Sequence, residues 1–172
     1  MPTAITIRKP SPRRGGICDK PQYYEVTAGQ TFVIGDWVYL VSNKLSIAAA
    51  ASNDVGNITL AGRALANAAD VLAGTAGNLV NGVWQCPVEL PADDSEYLFP
   101  IYHSTGASAV TAISDVGTTL PLRNQAGAWV LNKETDGTND RFVITELSAE
   151  HPVGETYGHV WARPLEANKL GA

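Results

Sequence analysis

The sequence predicts an all-β protein: a barrel- or sandwich-like body, with room for two small β-rich subdomains, and an extended N-terminal arm. Three observations predict it. Turn signals recur every dozen residues or so, the runs between them are dense in β-branched and aromatic residues, and no helical stripe is sustained outside residues 58–73. With 172 residues, 45% of them apolar and 17% charged, folding removes roughly 70% of the unfolded chain's surface, so the core needs no staples.

Residues 1–25 read as the arm. Pro10, Pro12, Gly15, Gly16 and Pro21 stand there among Arg8, Lys9, Arg13, Arg14 and Lys20, a composition that favours an extended segment over a packed one. Those five basic residues face Asp19 alone, for a local net charge of +4, while the remaining 7 basic and 16 acidic residues leave the body at −9. The start Met1-Pro2-Thr3 leads into no apolar stretch of signal-peptide length, and the aliphatic run Ile47–Ala51 is too short to cross a bilayer. Secretion by the usual route and membrane insertion are not expected.

The body opens with Thr31–Val41, then Ser42-Asn43, then Lys44–Ala49, the pattern of a β-hairpin on a short polar turn. Residues 58–73 mix alanine, which favours helix, with Gly62 and a β-branched start, which do not; at most one short helix is expected within 62–73. Strand-like runs follow at Leu79–Leu90, Tyr97–Tyr102, Leu120–Arg123, Trp129–Leu131, Arg141–Leu147 and His159–Arg163, with turns around Asn124–Gly127 and Asp136–Asn139. A composition change at Pro91–Ser95 divides the body into residues 26–92 and 93–172. Internal repetition is faint: Gly74-Thr75 before Gly82-Val83-Trp84 parallels Gly117-Thr118 before Gly127-Ala128-Trp129, which ordinary hairpin chemistry also explains. Cys18 and Cys86, far apart in a cysteine-poor chain, read as free thiols.

Motifs for catalysis or metal binding are sparse. His103, His151 and His159 lie in different segments with no i, i+4 partner for zinc. Ser104, His103 or His159, and Asp115 supply the residue types of a nucleophilic triad, yet neighbours on a strand point to opposite faces, and no G-x-S-x-G elbow is present. Asp93, Asp94 and Glu96 read as a solvated turn, and Asp136–Asp140 lacks the distal glutamate of a calcium loop. Trp37, Trp84, Trp129 and Trp161 all fall in strand-like runs, most of them as core with one or two available to anchor a subunit interface. An acidic body argues against nucleic acid as a partner. No enzyme activity, cofactor or metal is expected.

An ordered set of segments resembles the capsid decoration (cement) proteins of tailed bacteriophages. It comprises Gly35-Asp36-Trp37-Val38-Tyr39-Leu40, Ser42-Asn43-Lys44-Leu45 with the alanine run, Ala61-Gly62-Arg63-Ala64-Leu65, Phe99–Thr105, Asp140–Leu147 and Gly158–Arg163. The set spans roughly residues 30 to 165. The resemblance implies a structural virion protein, made in the host cytoplasm, that binds the outer surface of an assembled capsid and clamps neighbouring major-capsid subunits. It implies a homotrimer, alternatively a homodimer, without membrane contact, and a strand at Ala61–Leu65. The arm residues Arg8, Lys9, Arg13, Arg14 and Lys20 are then expected to contact the capsid or a neighbouring copy. A soluble β-sandwich module for carbohydrate or another ligand is the alternative.

Overall fold

A computed structural model describes residues 21–48, 53–56, 58–91, 95–134, 139–151 and 153–166. The protein is mostly β, with 46% strand and 9% helix, in a closed five-stranded barrel and a curled half-barrel sheet. The strands run β1 (Gln22–Val26), β2 (Trp37–Val41), β3 (Lys44–Ile47), β4 (Asn53–Asp54), β5 (Leu60–Ala64), β6 (Asn78–Val80), β7 (Val83–Glu89), β8 (Tyr97–Tyr102), β9 (Thr119–Leu120), β10 (Leu122–Gln125), β11 (Ala128–Asn132), β12 (Phe142–Leu147) and β13 (His159–Pro164), with one short helix, α1 (Ala68–Leu72). The ambiguous stretch thus resolves as strand β5 followed by α1.

Two compact units share the chain, one built from residues 21–48 and 58–91, the other from 53–56 and 95–165. In the first, the order β1-β3-β2-β5-β7 closes because β7 returns to β1, and β6 extends β7 as a hairpin. Hydrophobic burial closes it around Val26, Phe32, Val38, Leu45, Val71 and Val88, with alanines at 61, 64, 66 and 68. Phe32 and Val33 lead into a turn at Ile34-Gly35 rather than forming the expected strand from Thr31: Gly35 sits at φ 90° and the Asp36 carboxylate accepts the Val33 N–H at 2.8 Å, so the strand begins only at Trp37.

Residues 22–25, expected to belong to the arm, are part of the barrel instead. Gln22–Glu25 form β1, paired through Cys86 and Gln85 of β7 on one side and Lys44 of β3 on the other, because Tyr23-Tyr24-Glu25-Val26 is β-favouring and Val26 is core.

The second unit repeats the same succession of strand pairings, in a curled half-barrel sheet rather than a closed barrel. Its first strand, β8, pairs in parallel with the third, β11, just as β1 pairs in parallel with β3; β10 and β11 form the hairpin, β9 pairs with β12, β12 with β13, and β13 returns to β8. The ladders match in detail. Tyr97, Leu98, Phe99 and Pro100 face Ala162, Trp161, Val160 and His159 as Gln22, Tyr23, Tyr24 and Glu25 face Val88, Pro87, Cys86 and Gln85. The Gly117 N–H donates to Ile144 and the Ile144 N–H to Thr118, as Gly35 does to Ala64 and Ala64 to Asp36. One difference is the second strand of the ring, which Pro121 splits into β9 and β10, one half pairing with β12 and the other with β11. The core here is aromatic: Phe99 and Phe142 meet edge to face at 4.8 Å, with Tyr97, Ile101, Leu122 and Leu131 fully buried beside them.

Three two-residue hairpin turns place both central residues at positive φ: Ser42-Asn43 (48°, 64°), Asn81-Gly82 (50°, 81°) and Ala126-Gly127 (51°, 89°). This geometry matches the twist of the flanking strands. The faint Gly-Trp repetition in the sequence is two of these turns, Gly82 before β7 and Gly127 before β11, which occupy different places in the two rings.

Candidate functional site

A polar cluster lies on the second unit around Glu134. Its Oε1 accepts the Ser104 N–H at 2.9 Å and lies 3.8 Å from His103 Nδ1, while Oε2 lies 3.3 Å from the Arg123 guanidinium. Arg123 stacks at 5.0 Å over the Tyr102 ring. Asp54 accepts from Asn132 Nδ2 at 3.0 Å. The Ser104 hydroxyl and N–H hold the Glu134 carboxyl below the usual carboxylate range, with the Arg123 guanidinium adding a smaller pull.

The structure brings Ser104, His103 and an acid together, but wired differently from a triad. The serine bonds to the glutamate, and His103 Nδ1 accepts the Thr105 N–H at 3.0 Å, which turns that nitrogen from any hydroxyl. Asp115 is engaged elsewhere: Oδ1 takes Lys133 Nζ at 2.7 Å and Oδ2 the Ala112 N–H at 2.8 Å, pinning a 3₁₀ turn (Ile113–Asp115). His159 is buried and stacked on His151 at 4.1 Å, with His151 Nδ1 3.1 Å from Glu155. Among the described residues no group of three or more His, Cys, Asp or Glu converges as a metal site. Cys86 is a buried free thiol whose pKa desolvation pushes up to about 11, and so it is chemically quiet. Cys18, Asp93, Asp94 and Asp136 lie outside the described residues, as do Arg8, Lys9, Arg13, Arg14 and Lys20.

The stronger candidate is an apolar face on the first unit. The register Leu79↔Trp84 sets these two side by side on one face of the β6–β7 hairpin. Leu79 is 54% exposed and Trp84 37%. The indole of Trp84 lies over Gly74, where a Cβ would come within 2.7 Å of Nε1. Leu72 at the end of α1 and Val83 are exposed beside it, and together with Val26, Val71 and the Glu25–Lys44 ion pair they line a shallow cleft of about 260 Å³. A second cleft of about 370 Å³, shared through Glu25 and Lys44, adds Tyr23, Tyr24, Ser42, Asn43 and Gln85. Trp37 and Trp129 are core, Trp161 is half-buried, and Trp84 is the exposed one. Strand spacing alone could not choose among the four, because each sits in a run of similar composition; the choice was made by Gly74, which opens a seat for one indole. The arrangement is that of a β protein with one closed barrel and one curled half-barrel sheet, the barrel carrying an exposed apolar face.

No family model matches the chain, and neither does any curated protein or solved structure.

Proposed function

We propose that this chain is a structural virion protein that binds the outside of an assembled phage capsid and stabilises it by clamping neighbouring major-capsid subunits, working as a homotrimer or alternatively a homodimer, without catalysing a reaction. The observation that carries the reading is the exposed apolar Leu72, Leu79 and Trp84 face beside a shallow cleft, a protein-contact surface in composition. The ordered resemblance to decoration proteins supports it. A protein that binds only the assembled lattice stabilises it by mass action, and an oligomer multiplies that effect through effective concentration. The basic arm residues Arg8, Lys9, Arg13, Arg14 and Lys20 add salt-sensitive contacts to an acidic shell or neighbour.

Co-sedimentation with empty shells tests the reading. The full chain is expected to pellet with them and a variant beginning at Pro21, which keeps β1 intact, to bind more weakly. Added salt should close the gap between the two. No co-sedimentation at any salt concentration would overturn the proposal. The cleft with Tyr23, Tyr24, Asn43 and Gln85 favours a second reading, a carbohydrate-binding module, since aromatic faces beside amides suit sugar rings; binding on a glycan array with none to shells would select it.

A further inference from the structure

The β6–β7 hairpin turns on Asn81-Gly82, and among the asparagines of the chain only Asn81 precedes a glycine. Glycine lacks the Cβ that crowds the amide nitrogen of other residues, so its nitrogen is free to reach a neighbouring side-chain carbonyl. Three of the other asparagines are also tied down. Asn67 accepts the Ile34 N–H and donates to Asp70, Asn124 accepts the Gly127 N–H, and Asn132 donates to Asp54 and accepts the Glu134 N–H. Asn81 is exposed, no hydrogen bond to its side chain occurs among the described residues, and the space around Gly82 is open.

We infer that Asn81 is a site of spontaneous deamidation, with water as the co-reactant, and that opening of the β6–β7 hairpin gates it. The deprotonated Gly82 nitrogen attacks Asn81 Cγ; a C–N bond forms, the Cγ–Nδ2 bond breaks, and Nδ2 leaves as ammonia with the proton that the backbone nitrogen gave up. Water then opens the cyclic imide. Breaking its bond to Cγ leaves aspartate, and breaking its bond to the backbone carbonyl carbon leaves isoaspartate, whose main chain runs through Cβ; neither branch oxidises or reduces anything. The closed turn opposes the first step. With φ positive at both residues (50° and 81°), it is the mirror-image type that holds the Gly82 nitrogen away from the Asn81 side-chain carbon, so the ring closes only after the turn yields. It yields readily, since three residue pairs hold β6 at the edge of the sheet and its other side has no strand partner among the described residues. The product alters the face beside it. No charged residue occurs between Asp70 and Glu89, and conversion places a carboxylate two residues from Leu79; isoaspartate also adds a backbone atom to a two-residue turn. The inference deepens the proposed function by giving the contact face a one-way loss of grip with age; that consequence rests on the decoration reading, and the site itself does not.

Peptide mapping by mass spectrometry on the full chain, stored at mildly alkaline pH, tests it. Conversion should concentrate at Asn81 as a mixture of aspartate and isoaspartate. Its rate should rise with pH, as the attacking nitrogen loses its proton more often, and should be higher in urea-unfolded protein, where no turn restrains the chain. Asn81→Gln, whose longer side chain closes the ring poorly, should lose the signal. Conversion spread evenly over the asparagines, an Asn81 that stays intact in the folded chain, or equal rates in folded and unfolded protein would refute the inference. Co-sedimentation of the stored samples with shells separates the two proposals. Wild type should lose shell binding with storage, and Asn81→Gln should keep whatever binding it starts with; undiminished binding after full conversion would overturn the loss of grip. Conversion at Asn81 in a protein that never binds shells sinks the decoration reading and leaves the site standing.

Discussion

The two units run the same succession of strand pairings around different fillings. At matched ladder positions the first places Tyr24 opposite Cys86 and the second Phe99 opposite Val160. The first core leans on alanine and valine, and the second on Phe99, Phe142 and Tyr97. Their charges differ as well. Among described residues the first unit sets Lys44 and Arg63 against Glu25, Asp36, Asp70 and Glu89, with Lys44–Glu25 at 2.8 Å and Arg63–Glu89 at 3.4 Å. The second has four basic residues, Arg123, Lys133, Arg141 and Arg163, against eight acidic ones, Asp54, Glu96, Asp115, Glu134, Asp140, Glu146, Glu150 and Glu155. Strand order therefore follows from turns and register, while side-chain volume and charge are free to diverge. In the first unit that freedom provides the apolar face; in the second it produces an acidic surface whose Arg123 and Lys133 are engaged by Glu134 and Asp115.

Core truncation separates the fillings most. Phe99→Ala should cost about 4 kcal/mol, and its positional counterpart Tyr24→Ala, half-buried at the barrel wall, about half as much. Equal losses by urea denaturation would mean the two cores are equally filled. Next comes backbone space. Gly62, at φ 145° on a bulge, would drive a Cβ into the Glu89 carbonyl, so Gly62→Ala should cost about 3 kcal/mol; Gly117, at φ 89° with open space around it, should cost about 1 kcal/mol on the same change. Calorimetry that ranks them in reverse would refute the close approach. Ala126 stands at φ 51° in a two-residue turn, and Ala126→Asn, creating Asn-Gly, should add about 1 kcal/mol to the second unit's stability.

The smallest effects separate the units by pH. Glu134 has a lowered pKa, so its stabilising contribution is full above the ordinary carboxylate value of 4.5 and is lost as pH falls through the folded value; Glu134→Gln should flatten the acid limb of melting temperature against pH. Cys86 has a raised pKa, so its contribution is full below the thiol's ordinary 9.0 and is lost as pH climbs through about 11. Cys86→Ala should flatten the alkaline limb and leave the acid one alone. A variant that moved the opposite limb would show that the limbs do not report on separate units.

Most of the strands were legible because their signals are local. Tyr97–Tyr102, Arg141–Leu147 and His159–Arg163 are β-branched and aromatic runs bounded by turns, and β8, β12 and β13 fall within a residue of them. Thr31–Asp36 misled, since Phe32-Val33-Ile34 has strand composition while Gly35 and the Asp36 carboxylate impose a turn. The Ser104, His103 and Glu134 cluster joins residues 30 apart through the parallel pairing of β8 with β11, which no local pattern encodes.

By itself, then, the sequence determined the β class, the turns at Ser42-Asn43 and Asn124–Gly127 and the scarcity of catalytic motifs, since each depends on propensities within a few residues; it left residues 62–73 open between helix and strand, and it read Leu79–Leu90 as one run where the Asn81-Gly82 turn divides β6 from β7. Only the tertiary structure decided that one succession of strand pairings occurs twice, closed in the first unit and curled in the second, that Gln22–Glu25 belong to a barrel wall, and that Trp84 rather than Trp37 meets solvent. Those outcomes rest on strand pairings and close approaches between residues distant in the chain. Their energies arise from burial and register, which are properties of the assembled barrel.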